Sequence, residues 1–274
     1  MKINSQKVIS ITVLSIGFAF LYAPILSLII YSFNESRLVT VWAGFSTKWY
    51  GELMNNTALL SAAWLSVKIA FITAWLAVFL GTLAAISLVR APKSKMRNSL
   101  EMMSAAPLVM PEIIIGLSLL LLFVAMENLI GWPSNRGQIT VIIAHSVFCM
   151  AYVTVIVRSR LVNMDKSIEE AASDLGARPI KVFFTITLPI ISPALMAGWL
   201  LAFTLSMDDL VVASFASGPG STTLPMMVYS SVRLGVSPQI NALATIIIGI
   251  VALAVLIAAI MMYRKEKAAL RAPH

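Results

Sequence analysis

Six apolar runs constrain this chain more than anything else in it. They cover residues 8–33, 59–89, 100–124, 139–157, 194–215 and 242–263, and each is at least 19 residues long. Crossing the hydrocarbon core of a bilayer takes about 20 helical residues. A segment in that solvent must satisfy its own backbone donors and acceptors, which an α-helix does internally. The chain is 59% hydrophobic and 12% charged, with a mean hydropathy of +0.90, so a water-soluble domain is excluded. The expected fold class is an all-α membrane protein: six transmembrane helices in one domain over residues 1–274. The first run is too long for a signal-peptide core and lacks a small-x-small cleavage site, so it reads as a retained helix.

The formal net charge of +8 raises the question of nucleic acid. Its placement answers otherwise. With both termini on one side, that side holds fifteen Lys and Arg: Lys2, Lys7, Arg90, Lys93, Lys95, Arg97, Arg158, Arg160, Lys166, Arg178, Lys181, Arg264, Lys265, Lys267 and Arg271. The opposite side holds Arg37, Lys48, Arg136 and Arg233. Such a bias puts the termini in the cytoplasm, with lipid as the surrounding partner. No nucleic acid is expected.

Several residues inside the runs have more than one reading. Trp42, Phe45, Trp49 and Tyr50 follow the first run; they suit an interfacial belt or contact with a partner outside. Lys68 lies in the long second run, where it snorkels or lines a pathway. Pro107, Pro111, Glu112 and Gly116 lie in the third run, with Glu112 expected near mid-membrane. His145 and Cys149 share a helix face, but two ligands make no metal site; packing and hydrogen bonding suffice. Cys149 is the sole cysteine, so no internal disulfide forms. Asp208 and Asp209 lie about 15 residues into the fifth run, roughly 22 Å from its start. Burying such carboxylates is costly, about 2.5–3.5 kcal/mol at a helix centre. They therefore face a wet cavity or a cation, or they break, cap or pair with Arg233 or Lys68. The stretch 217–225, rich in Gly and Pro, cannot be regular helix. Ser237 and Pro238 read as N-cap and first residue of the last helix.

Between the fourth and fifth runs lies the one long segment that still looks folded. Residues 166–175 are good helix formers, with Ile168, Ala171, Ala172 and Leu175 on one stripe. Gly176 falls where a helix C-cap needs a left-handed residue. Pro179 suits the first turn of a second short helix, with Pro189 and Pro193 marking its exit. The pattern is E-A-A-x3-G-x9-I-x-L-P, carried by Glu170, Ala171, Ala172, Gly176, Ile186, Leu188 and Pro189. It resembles the EAA loop of type I ATP-binding-cassette importer permeases, with the MetI-like fold. Residues 217–225 and 237–245 are similar to the polyamine-permease subgroup, in particular the second permease subunit of putrescine and spermidine importers.

That resemblance implies a set of expectations. Glu170, Ala171, Ala172, Asp174, Gly176, Leu188 and Pro189 would couple the chain to a cytoplasmic ATPase dimer. The partner would bind ATP and Mg; this chain has no phosphate-binding loop and would bind no cofactor or metal. A second homologous permease chain and a periplasmic polyamine-binding protein would complete the assembly in a bacterial inner membrane. The chain would be no enzyme. Asp208, Asp209 and Glu112 would line the substrate pathway of a polyamine, foremost putrescine. Another small solute such as spermidine or iron is the alternative cargo. An ion-coupled secondary transporter leaves the EAA loop unexplained.

The charge bias generates a topology test. In a Cys149→Ser background, Lys95→Cys and Arg178→Cys are expected to react with an impermeant thiol reagent only from the cytoplasm. Asn56→Cys and Gly220→Cys are expected to react from outside. Outside labelling at position 178 in intact cells would overturn the orientation.

Overall fold

A computed structural model of the chain describes residues 5–38, 41–234 and 237–269. Lys2 and Arg271 of the charge bias lie outside them. The side chains of Arg233, Arg264, Lys265 and Lys267 are also outside what is described. The chain divides into two compact units, residues 1–60 with 230–274, and residues 61–229.

The helices are α1 (Ser5–Tyr31), α2 (Lys48–Asn55), α3 (Thr57–Arg90), α4 (Lys95–Val109), α5 (Glu112–Ile130), α6 (Gln138–Val162), α7 (Ser167–Asp174), α8 (Pro179–Val182), α9 (Leu188–Asp208), α10 (Val211–Ala216), α11 (Leu224–Leu234) and α12 (Pro238–Ala269). A single π-turn, Phe183–Thr187, joins α8 to α9. Among the described residues six helical segments are long and apolar enough to span a membrane: Ile9–Tyr31, Thr57–Arg90, Glu112–Ile130, Gln138–Val162, Pro179–Asp208 and Pro238–Ile257.

Two of the six differ from the sequence reading. The run 100–124 is not one helix. Met110 is extended, at φ −78° and ψ 139°, because the ring of Pro111 disfavours a helical residue before it. α4 therefore ends at Val109 and a new helix opens at Glu112, which begins the apolar span rather than sitting in its middle. The run 194–215 is also interrupted. The helix enters early, through α8 and the π-turn, and stops at Asp208. Pro189 and Pro193 do not end the preceding segment. Pro189 falls in the first turn of α9. Pro193 lies inside it, and the carbonyl of Pro189 that it cannot satisfy accepts the Ser192 hydroxyl at 2.9 Å.

In the unit formed by residues 1–60 and 230–274, α12 packs against α1 and α2. The loop after α1 is a folded object built around buried Asn34. Its side-chain amide donates to Val41 O (2.7 Å), its Oδ1 accepts from Ala43 N (3.0 Å), and its carbonyl accepts from Trp49 Nε1 (2.6 Å). Trp49 is thus internal, and the Tyr50 hydroxyl meets Ser32 Oγ at 2.8 Å. Trp42 and Phe45 remain exposed. Gln239 ties α12 to the α2 end, accepting from Asn56 Nδ2 (2.6 Å) and donating to Glu52 (3.1 Å).

In the unit spanning residues 61–229, α6 is the central helix. One apolar cluster joins its Val141 and Ala144 to Leu65 and Ile69 of α3, Ile115, Leu119 and Phe123 of α5, and Val212, Ala213 and Ala216 of α10. A second joins Phe148, Cys149, Val153, Val157 and Leu161 to Ala74, Ala77 and Ala85 of α3 and Ile191 and Ala202 of α9. Val153 sits between two glycines. A β-carbon on Gly81 of α3 would fall 2.9 Å from it, and one on Gly198 of α9 would fall 3.3 Å from it. Small residues at such crossings let membrane helices approach closely, where lipid gives no hydrophobic drive.

Gly81→Ala is therefore expected to destabilise the protein by about 1–3 kcal/mol, because its β-carbon also meets the backbone carbonyl of Met150 at 3.0 Å. Gly17→Ala, where a β-carbon meets nothing within 4 Å, is the control. A fall in the thermal midpoint of the purified protein for the first and not the second checks this.

Candidate coupling and translocation sites

Two groups of residues stand out, one on the segment between α6 and α9 and one at the end of α9.

The first begins at Asp165, whose Oδ1 accepts the Ser167 N–H at 2.9 Å; these bonds from Ser167 hold its carboxyl below the usual range. α7 follows and ends in a left-handed turn. Gly176 has φ +82°. Ala177 N donates to Ala172 O (3.1 Å) and Gly176 N to Ser173 O (2.9 Å), the paired bonds of a Schellman cap. A β-carbon at Gly176 would meet no neighbour, so backbone conformation alone selects glycine there. The turn lets α8 start at Pro179.

α7 buries no side chain. Its Ile168 and Ala171 are exposed and Ala172 is half-buried; Leu175, just past its end, is 89% exposed, and Ile180 and Phe184 continue the exposed surface at 74% and 60%. Glu170, Ala171 and Asp174 are exposed as well. Glu170 has no partner side chain among the described residues. Leu188 and Pro189, expected beside them, lie beyond the π-turn on the first turn of α9, half-buried and exposed respectively.

Glu169 behaves differently from its neighbour. Its Oε1 accepts from Arg90 at the end of α3 and from the Thr187 hydroxyl at the end of the π-turn. Sequence reasoning passed over Glu169, Arg90 and Thr187. The signal was the Glu169–Glu170 doublet: successive helix residues point about 100° apart, so two adjacent carboxylates cannot face the same partner.

The second group separates Asp208 from Asp209. α9 stops at Asp208 and the chain turns at Asp209 (ψ 126°) before α10. Asp209 is 7% exposed and already engaged. Its carboxylate caps α10, accepting from Ala213 N at 2.7 Å and Val212 N at 3.3 Å. His145, fully buried on α6, brings Nε2 to 3.1 Å from Asp209 Oδ2, without the alignment of a hydrogen bond. His145 Nδ1 lies 2.7 Å from Ser206 Oγ. With the Ser206 hydroxyl donating to Nδ1, the Nε2–H faces the carboxylate. Asp208, by contrast, is exposed and has no partner side chain among the described residues. It ends a stripe of α9 left uncovered by this chain: Met196, Leu200, Thr204 and Asp208, spaced four apart. Glu112 is exposed at the first turn of α5 and is likewise without a partner. Among the described residues no group of three metal-ligating side chains occurs.

Residues 77–269 match the family model described as the inner membrane component of binding-protein-dependent transport systems. This chain belongs to that family. It is 60% identical over 261 residues to the putrescine transport system permease protein PotI of Escherichia coli (strain K12), covering 95% of this chain and 93% of the relative. It is 43% identical over 231 residues to the spermidine/putrescine transport system permease protein PotC of the same strain, covering 84% and 85%. Its fold resembles a chain of a bacterial ABC transporter involved in the import of alginate, with a TM-score of 0.71 at 16% identity, over 96% of this chain and 99% of that one. A chain of the MetNI methionine ABC transporter gives a TM-score of 0.58 at 15% identity, over 76% and 95%. The protein is a multi-pass permease subunit of an ATP-binding-cassette importer in the inner membrane, a transport component and not an enzyme.

The two neighbouring aspartates are expected to fail differently. Asp209→Ala strands the buried His145 and uncaps α10. Leaving buried donors without their acceptor typically costs about 1–3 kcal/mol. Asp208→Ala is expected to change stability by less than about 0.5 kcal/mol. Thermal midpoints and membrane abundance of the two variants measure the contrast.

Proposed function

We propose that this permease carries putrescine inward across the inner membrane, with both termini and α7 in the cytoplasm. The observation that carries the reading is the uncovered stripe of α9 that ends in the free carboxylate of Asp208. An ionisable side chain facing lipid is disfavoured, so this stripe faces a wet pathway or a second permease chain. A cationic amine leaving water needs acceptors to replace it, and Asp208 supplies one. Glu112 supplies another at the start of α5. Asp209 holds the local fold and does not receive cargo. The 60% identity to a putrescine permease supports the cargo; the 43% identity to a spermidine/putrescine permease makes spermidine the second reading.

Coupling follows from the exposed α7 surface. Leu175, Ile180 and Phe184 gain about 1.5–3 kcal/mol each if fully buried against a partner. Glu170 beside them offers a charge for a basic residue of that partner. We assign the partner as a cytoplasmic ATPase dimer that binds ATP and Mg, with this chain binding neither. A second, homologous permease completes the pathway, and a periplasmic binding protein delivers cargo. Glu170, Ala171, Ala172, Asp174 and Gly176 form the docking module, and Leu188 and Pro189 join it to α9.

The test is uptake of labelled putrescine by the complete complex in vesicles, with spermidine as competitor. Asp208→Asn is expected to lower uptake at least about tenfold, the effect of losing about 1.4 kcal/mol, while assembly persists. Glu170→Ala is expected to abolish uptake with the protein still inserted. Wild-type uptake by Asp208→Asn would remove the carboxylate from the pathway. Uptake of spermidine but not putrescine would select the second reading.

A further inference from the structure

We propose that Glu169, Arg90 and Thr187 form an intrachain latch that carries movement of the α7 docking module to the membrane helices α3 and α9. The inference rests on the coupling role of α7 given above and names residues of this chain that no docking contact requires.

Three elements meet at one oxygen. Glu169 lies in the first turn of α7, Arg90 is the last residue of α3, and Thr187 closes the π-turn ahead of α9. Glu169 Oε1 accepts from both Arg90 Nη2 and Thr187 Oγ1, and Arg90 Nη2 also donates to Thr187 Oγ1 at 3.3 Å, which closes a triangle. The hydroxyl of Thr187 belongs to a fully buried residue, and the Glu169 side chain is 19% exposed. Charge-assisted bonds in such a half-dry place are stronger than exposed ion pairs.

The rest of α7 explains why this junction matters. The helix fully buries no side chain, and its largest apolar residue, Ile168, is exposed. No hydrophobic anchor therefore ties it to the bundle. A push on α7 travels by two kinds of route: along the backbone, through residues 163–166 to α6 and through the Gly176 turn to α8, or directly through Glu169. The second route reaches α3 and α9 together. It also ends on a π-turn, a rare helical form frequent at functional sites. Relaxing that turn to α-helix would shift the register by one residue and swing Thr187 by about 100°, away from Glu169. Glu169, Arg90 and Thr187 are thus positioning residues for coupling.

The experiment uses the complete complex in vesicles and measures putrescine moved per ATP hydrolysed. Glu169→Gln and Arg90→Met are each expected to lower that ratio at least about fivefold, the lower end of ordinary coupling energies, with ATP hydrolysis continuing. The charge swap Arg90→Glu with Glu169→Arg is expected to restore part of it. A second readout needs no cargo. Spin labels at Lys93→Cys and Lys166→Cys, in a Cys149→Ser background, are expected to keep one narrow distance distribution with and without ATP. Adding Glu169→Gln is expected to broaden it when ATP is present. Single variants that keep the wild-type ratio and distribution would overturn the latch. So would variants in which transport and ATP hydrolysis fall in proportion as the complex fails to assemble. A wrong cargo assignment shows in the wild-type complex, as absent putrescine uptake, and leaves the spin-label result to decide the latch.

Discussion

A polypeptide in hydrocarbon has no water to satisfy broken backbone hydrogen bonds, and the breaks in this chain are arranged around that constraint. Helix α9 stops at Asp208, freeing donors at the start of α10. The Asp209 carboxylate takes two of them, and His145 from the neighbouring helix brings Nε2 to 3.1 Å from it. Ser206 then fixes the other side of the imidazole. A local interruption of one helix thus depends on a tertiary contact with another. The same constraint operates at Pro193, where the Ser192 hydroxyl serves the carbonyl that the missing N–H leaves free.

Satisfying Asp209 inside the fold leaves its neighbour outside. The turn at Asp209 ends the α9 stripe on Asp208, leaving one carboxylate uncovered while the other holds the backbone. Adjacent acids therefore divide into one engaged by the fold and one left exposed: helix geometry points them apart, and the α10 N–H groups and His145 meet only Asp209. The doublet in α7 divides in the same way. Glu169 turns toward α3 and the π-turn, and Glu170 turns outward. In both places one acid is engaged by the fold and the other is left exposed.

Close packing supplies the rigidity that such positioning needs. Val153 of α6 sits in the notches made by Gly81 of α3 and Gly198 of α9. The two apolar clusters share α6, so displacement of α3 or α9 is felt at the central helix. Helix α7 lies at the other extreme, with no buried side chain of its own. It is a surface element whose Glu169 meets Arg90 of α3 and Thr187 of the π-turn.

Much of this was written in the sequence. Apolar length specified six spanning helices, because the hydrocarbon thickness fixes how many residues a span needs. The E-A-A-x3-G spacing placed a helix and a left-handed cap, because only glycine takes that conformation without strain; Gly176 has the φ this requires. Pro238 opens the last helix for a similar local reason. Tertiary structure decided the rest. Pro111 alone did not say whether the third run would kink or break, and the break moved Glu112 from the middle of a span to its start. Asp208 and Asp209 were equivalent on paper, since nothing local reveals a histidine 64 residues earlier in the chain. Glu169 was passed over for the same reason: Arg90 and Thr187 lie 79 and 18 residues away. Local steric rules are readable one residue at a time, whereas a charge acquires its role from what the fold brings beside it.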